Sequence, residues 1–264
     1  MKNYLLELWY YRKIIYQLVL LSFKTEFRQS LIGPIWHIIQ PLISSGVLLV
    51  VFKEILGTAK SLENPYLTFF SAIIFWNIFL QSFTSSAFIF EANKGIFSKI
   101  YFPRVIPIIS NSGITFFRFL LQLLLYFFIY YLTESNLTLD KFIIIFIGSL
   151  VIFFHIILLG MGSGMMMASA STVYKDLLFS IPFITNLLFF ATPIVYEINN
   201  INSSVKNYII LNPLALPIQS AKDLLQLQFT PDSNFAFSII FALVLFILSG
   251  FIFTFASRRF VDTI

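Results

Sequence analysis

The chain has 264 residues, 58% of them hydrophobic and only 11% charged, whereas a soluble domain is about 45–50% apolar and about a quarter charged. A globule of 30.5 kDa with a mean hydropathy of +0.88 cannot hide that much apolar surface and still cover its exterior, so soluble enzymes and binding modules are excluded. The net charge of +5 sits on basic residues at segment ends, which signals membrane topology and not a nucleic-acid-binding patch.

The first 33 residues carry Lys2, Arg12, Lys13, Lys24 and Arg28, with no apolar stretch leading to a small-residue cleavage site, so no cleavable signal peptide is expected. Apolar Leu5, Leu6, Leu8, Ile14 and Ile15 alternate with Glu7, Arg12 and Lys13. That pattern predicts an amphipathic helix lying in the inner interface, anchored by Trp9, Tyr10 and Tyr11. A plain cytosolic helix is the alternative.

A transmembrane helix needs about 20 mostly apolar residues. Charge-free intervals run over 29–52, 64–90, 142–174, 177–196 and 233–257, and 105–133 is interrupted only by Arg118. They predict an all-α polytopic protein with spans near 34–54, 66–88, 105–131, 142–169, 178–195 and 235–256. The whole chain then forms one permease-like domain: an interfacial helix over 1–33, a six-span bundle over 34–256 and a cytoplasmic tail over 257–264. An even number of spans puts both termini on one side. With the termini inside, the inner segments hold eleven basic residues and the outer segments five, so cytoplasmic termini satisfy the positive-inside rule.

Arg118 falls near mid-membrane, where an arginine is costly unless it pairs or meets water. It reads either as a pore- or interface-facing cation or as half of a salt bridge. In the fourth span, Gly160-Met161-Gly162-Ser163-Gly164 spaces small residues for close helix approach, within one subunit or between two. The segment 196–232 is too long for a hairpin and is broken at Asn212-Pro213 and Pro217. Two short re-entrant or interfacial helices are expected there, since non-spanning backbone at membrane depth must lie against protein or water. No internal repeat is visible, which leaves an inverted-repeat transporter unsupported.

No catalytic constellation emerges. The chain lacks a Gly-rich loop ending in Gly-Lys-Ser/Thr, so it is not expected to hold nucleotide phosphates itself. It has no cysteine, and its two histidines, His37 and His155, lie far apart, so no disulfide or metal site is expected. Both imidazoles read as packed or interfacial. Three inner segments have the composition of docking surfaces: the N-terminal stretch, Glu91–Arg104 and Ser171–Leu177. The second, amphipathic and ending at Pro103, offers Phe97, Ile100, Tyr101 and Phe102 to a partner groove.

An ordered set of short motifs marks a resemblance. Phe23-Lys24-Thr25-Glu26-Phe27-Arg28-Gln29-Ser30-Leu31-Ile32-Gly33-Pro34-Ile35-Trp36 precedes the first span, and Gln40-Pro41 lies inside it. Asn93-Lys94-Gly95-Ile96-Phe97-Ser98-Lys99-Ile100-Tyr101-Phe102-Pro103-Arg104 follows, then Tyr174-Lys175-Asp176, Thr192-Pro193-Ile194-Val195-Tyr196 and Leu211-Asn212-Pro213-Leu214. The chain resembles, over nearly its whole length, the membrane subunit of type-2 ABC exporters that move polysaccharides such as O-antigen, capsule or teichoic acid. Arg118 departs from the pattern of that family.

The resemblance implies a homodimer of permeases in the bacterial cytoplasmic membrane, coupled to two separate cytoplasmic ATPases that use ATP and Mg. This chain itself would bind no cofactor and no nucleic acid, and would not be an enzyme. Its substrate would be a lipid-linked polysaccharide. The coupling segment would comprise Asn93, Lys94, Phe97, Lys99, Tyr101, Phe102 and Arg104, with Lys175 and Asp176 touching the same partner. The 198–230 region would close the outer mouth. Because aromatic faces stack on sugars without charge, Trp36, Phe75, Trp76 and Tyr196 are candidate path residues, joined by Arg118. Two alternatives remain: a type-2 ABC exporter of drugs or small lipids, and an integral-membrane transferase acting on lipid-linked sugars, which would need acidic or His clusters near an interface.

Overall fold

The computed structural model describes residues 9–28, 33–57, 64–97, 102–134, 138–198, 201, 203–227 and 233–261. Among them every regular element is helical. Helix α1 (Arg12–Arg28) leads through a 3-10 turn at Gly33–Ile35 into α2 (Trp36–Leu49), which continues as a π-helix over Val50–Ile55. Then come α3 (Pro65–Ala87), the single turns α4 (Ile89–Ala92) and α5 (Lys94–Phe97), α6 (Ile106–Glu134) and α7 (Leu139–Ser171). The chain closes with α8 (Leu177–Ala191), α9 (Ser203–Ile210), α10 (Ala215–Leu225) and α11 (Ser233–Val261).

Among the described residues five helices are long and apolar enough to cross a membrane: α2 with its π extension, α3, α6, α7 and α11. Helix α8 is apolar too, but its 15 residues reach only about 22 Å at helical rise, short of the roughly 30 Å hydrocarbon core. The fifth expected span is therefore shorter than 178–195 suggested, because the chain leaves the helix at Thr192, whose backbone is extended. The sixth is longer: α11 runs through Val261, so the tail expected from residue 257 begins as helix.

α3 and α7 form the centre. α3 is buried along nearly its whole length, with Phe69, Phe70, Ile74 and Phe75 fully enclosed. It packs most extensively on α7, which packs in turn on α11. Close approach requires glycine here. A Cβ on Gly160 would stand 2.6 Å from Ser82 Cβ and 3.0 Å from the Phe79 carbonyl oxygen; one on Gly164 would stand 2.6 Å from both the Phe83 oxygen and Ser86 Cβ. The small-residue run thus joins two helices of one subunit, and Gly162 serves the same purpose toward Leu245 and Phe246 of α11. His155 completes that second seam as a packed imidazole, its Nε2 sharing a hydrogen bond of 3.2 Å with Ser238 Oγ and its ring edge-on to Phe235.

The outer layer is loosely held. α2 buries only Pro41 and Ser45 over Trp36–Leu49, and α8 only Leu178, Ile181 and Thr185. Gly57, at φ +69°, is the left-handed residue that ends the π-helix. α1 lies along the first half of α6 and runs in the same direction. Ser110 Oγ donates to the Ile15 carbonyl at 3.5 Å, Val19 meets Gly113, and Phe23 stands edge-on to Phe117 at 4.8 Å. Its apolar side is thus partly spent on another helix. The two short helices expected between the last spans are α9 and α10, and α10 is buried against α3, α7 and α11.

Candidate functional site

Two polar stripes cross the otherwise apolar bundle. Asn77, Gln81, Thr84 and Ser85 recur at helical spacing along α3, with Phe88 just past its end, and Asn111, Ile114, Thr115, Arg118 and Gln122 do the same along α6. Steps of three and four residues keep each set on one helix face.

The stripes line two adjoining cavities. One, of about 760 Å³, is bounded by Ser22 and Thr25 of α1, by Gln81, Thr84, Ser85 and Phe88, and by Asn111, Ile114, Thr115 and Arg118. The other, about 400 Å³, opens between α2 and α8, where His37, Gln40, Asn77, Gln122, Pro182 and Thr185 contribute. Gln81, Thr84 and Phe88 border both. The hydroxyls mostly bond back to their own helices: Thr84 to the Leu80 carbonyl at 2.7 Å, Thr115 to Asn111 at 3.0 Å, Thr185 to Ile181 at 2.9 Å. The carboxamides of Asn77, Gln81 and Asn111 make no hydrogen bond among the described residues, so they present donors and acceptors to the cavities.

One amide is spent on the scaffold. Pro41 has no N–H and so cannot bond the His37 carbonyl one turn back. Gln122 Nε2 takes its place, donating to that carbonyl at 3.0 Å. In a medium without water such a side-chain substitute is what makes an intrahelical proline tolerable, and it ties α2 to α6.

The sequence-derived candidates divide. Arg118 lines the larger cavity. Trp36 is exposed on α2, next to His37 of the smaller one. Phe75 and Trp76 are corrected: both are core residues, Phe75 against Phe119 at 5.7 Å and Trp76 edge-on to Phe189 at 5.4 Å, because α3 is enclosed on every side except its amide stripe.

In the coupling segment, Asn93 Nδ2 caps back to the Ile89 carbonyl at 3.0 Å, and Lys94 is exposed. Phe97 and Phe102 turn inward and pack on one another at 5.5 Å, with the Arg104 guanidinium 5.9 Å over the Phe97 ring, so these two rings are not offered outward. Over residues 89–97 the chain forms two single turns, α4 and α5. Lys99, Ile100 and Tyr101 lie outside the described residues. Lys175 and Asp176 are exposed beside Val173 and Tyr174.

At the opposite end of the bundle, Tyr196 belongs to a bonded cap. Its carbonyl accepts from Lys222 Nζ at 2.7 Å, while Gln219 Nε2 donates to Asp223 Oδ1 at 2.8 Å. Lys222 is buried, and burial lowers its pKa to about 8 against the pull of Glu197 and Asp223. Burial also raises the Asp223 carboxyl. Two motif stretches meet here, since Asn212 Nδ2 donates to Thr192 Oγ1 at 2.9 Å and to the Ala191 carbonyl at 3.2 Å. The amide stripes and the buried lysine were not among the sequence candidates. The helical spacing of the amides was a visible signal; the lysine's burial was not.

This arrangement, a helical bundle carrying an uncharged polar groove, agrees with what the chain is similar to. Two proteins of Klebsiella pneumoniae, each described as O-antigen export system permease protein RfbA, are 26% and 28% identical to it over 204 residues, 76% of this chain and 75% of each relative. The family model for the ABC-2 type transporter matches residues 14–226, and the chain belongs to that family of membrane permeases.

Proposed function

We propose that this chain is the permease subunit of an ATP-driven exporter that moves a polysaccharide or lipid-linked glycan, of the O-antigen, capsule or teichoic acid type, across the bacterial cytoplasmic membrane. Two copies, each crossing six times with cytoplasmic termini and with α8 as the fifth span, work with two separate ATPase subunits. α1 rests at the inner interface, the 91–104 and 171–177 segments meet the ATPase, and the 198–230 region closes the outer mouth.

The observation that carries this reading is the carboxamide and hydroxyl groove between α2 and α8. Amides within spans are costly and mark transport paths, and uncharged donors and acceptors suit a neutral, hydroxyl-rich polymer. The groove is flanked by α2 and α8, which bury few of their residues, as expected of half a conduit that a second copy completes. The names of the two relatives supply the substrate class.

The test is complementation of a strain lacking the gene. Asn77→Leu and Gln81→Leu together should leave the permease in the membrane and bound to its ATPase while surface glycan falls. Export at the wild-type level by that double variant would remove the groove from the path.

A further inference from the structure

We infer that Lys222 is a positioning residue: through it the buried helix α10 sets where the outer end of α8, one wall of the amide groove, stands. The inference rests on the permease reading in taking that groove as the transport path.

No residue of α8 beyond Thr185 is buried, yet the chain that follows the helix is: Thr192, Ile194 and Ile198 are almost wholly enclosed. A helix with little packing of its own takes its position from whatever holds its ends. Here the holder is α10 with the turn before it. Asn212 Nδ2 donates to Thr192 Oγ1 at 2.9 Å, Lys222 Nζ to the Tyr196 carbonyl at 2.7 Å, and the Ile198 N–H to Gln219 Oε1 at 3.5 Å.

α10 itself is fixed from its other side. Tyr126 of α6 donates its hydroxyl to the Leu225 carbonyl at 2.9 Å, and Gln226 Nε2 donates to Thr68 Oγ1 of α3. Leu224 fills the hollow left by Gly148 of α7, where a Cβ would stand 2.6 Å from its methyl carbons. α10 is thus a strut, seated on three spans and holding the turn-rich stretch that continues α8.

Among these holding side chains Lys222 is the charged one, and burying an ammonium is costly. A methionine would fill similar volume without that cost, so for stability alone a lysine is a poor choice. What it adds is a charge-assisted hydrogen bond, about twice as strong as a neutral one, delivered to the backbone of a segment outside any long helix. Glu197 and Asp223 attract the same ammonium, which favours the charged form that makes the bond. The lysine therefore fixes α8 to the core at a distance from the groove that α8 borders with Pro182 and Thr185.

The chain has no cysteine, so single probes report cleanly. Ile194→Cys marks the held segment and Ala221→Cys marks α10, both fully buried positions. Each would be followed by maleimide labelling of the permease chain in the purified permease–ATPase complex. Lys222→Met should raise the labelling rate of Ile194→Cys about tenfold, the shift expected for one charge-assisted contact, and leave Ala221→Cys unchanged. Lys222→Arg, which keeps charge and reach, should stay within about twofold of wild type. Where Lys222→Met does not assemble, Lys222→Gln serves with the same expectation.

Export should fall with Lys222→Met and recover with Lys222→Arg in the complemented strain. An unchanged Ile194→Cys rate overturns the inference and leaves the permease reading intact. Equal increases at both probes also overturn it, since α10 has then come loose as a whole. So does wild-type export by Lys222→Met. A wild-type gene that restores no surface glycan defeats the permease reading instead, and the labelling result stands apart from it.

Discussion

Pro41 and Gln122 form a pair whose energetics can be separated. Removing the Gln122 amide takes away the hydrogen bond that the His37 carbonyl accepts from α6, at a cost of about 1–3 kcal/mol. Pro41→Ala restores the missing backbone N–H. Gln122→Leu is therefore expected to lower thermal stability in detergent, and the Pro41→Ala, Gln122→Leu double variant to recover most of the loss. Additive losses would show that the amide acts elsewhere.

Lys222 gives a second residue-scale expectation. Its pKa falls from 10.5 to about 8 in the folded protein, so between those values the unfolded chain binds a proton that the native one does not. Stability from this group consequently rises as pH increases from about 8 to 10.5. Replacing it with Met should flatten the pH dependence of the melting temperature in that window relative to wild type. Parallel curves would mean that the ammonium is solvated.

Among the elements, the α3–α7 seam depends on the absence of two Cβ atoms. Gly164→Ala would push a methyl against the Phe83 backbone and Ser86, an overpacking worth about 1–3 kcal/mol. Gly46→Ala on loosely packed α2 meets nothing within 4 Å and should stay within about 1 kcal/mol of wild type or stabilise it through helix propensity. Comparing their melting temperatures separates packing from propensity, and equal effects would argue against a tight seam.

The spans themselves were legible because hydropathy alone sets their length. Asn77, Gln81, Thr84 and Ser85 are legible too, through their spacing, but the expectation of aromatic stacking falls on Phe75 and Trp76, one and two positions before the stripe. A helix enclosed nearly all round gives no apolar face from which to orient its aromatics. Nothing local in the sequence signals the burial of Lys222: the carbonyl that receives it belongs to Tyr196, far back in the chain. The inward turn of Phe97 and Phe102 is equally silent in the sequence, since their partners are each other and the core.

For the whole molecule, the contrast between centre and periphery bears on how motion could be transmitted. α3, α7 and α11 are locked by backbone-close contacts, and α3 runs directly into α4 and the exposed Lys94. A push delivered there reaches the cavities through a stiff rod. Lys94→Glu with Lys175→Glu, both exposed, should reduce co-purification with the ATPase and lower export without changing permease levels. Undiminished binding would move the docking surface elsewhere.

The buried cap has a consequence for biogenesis. α10 carries Lys222 and Asp223 and rests on α3, α7 and α11, the last of which is made after it. It can settle only when a helix still to be synthesised has inserted, so the cap is the closing step of maturation. Chains stalled or slowed in translation should expose residues 203–227 to added protease while the rest of the bundle already resists digestion.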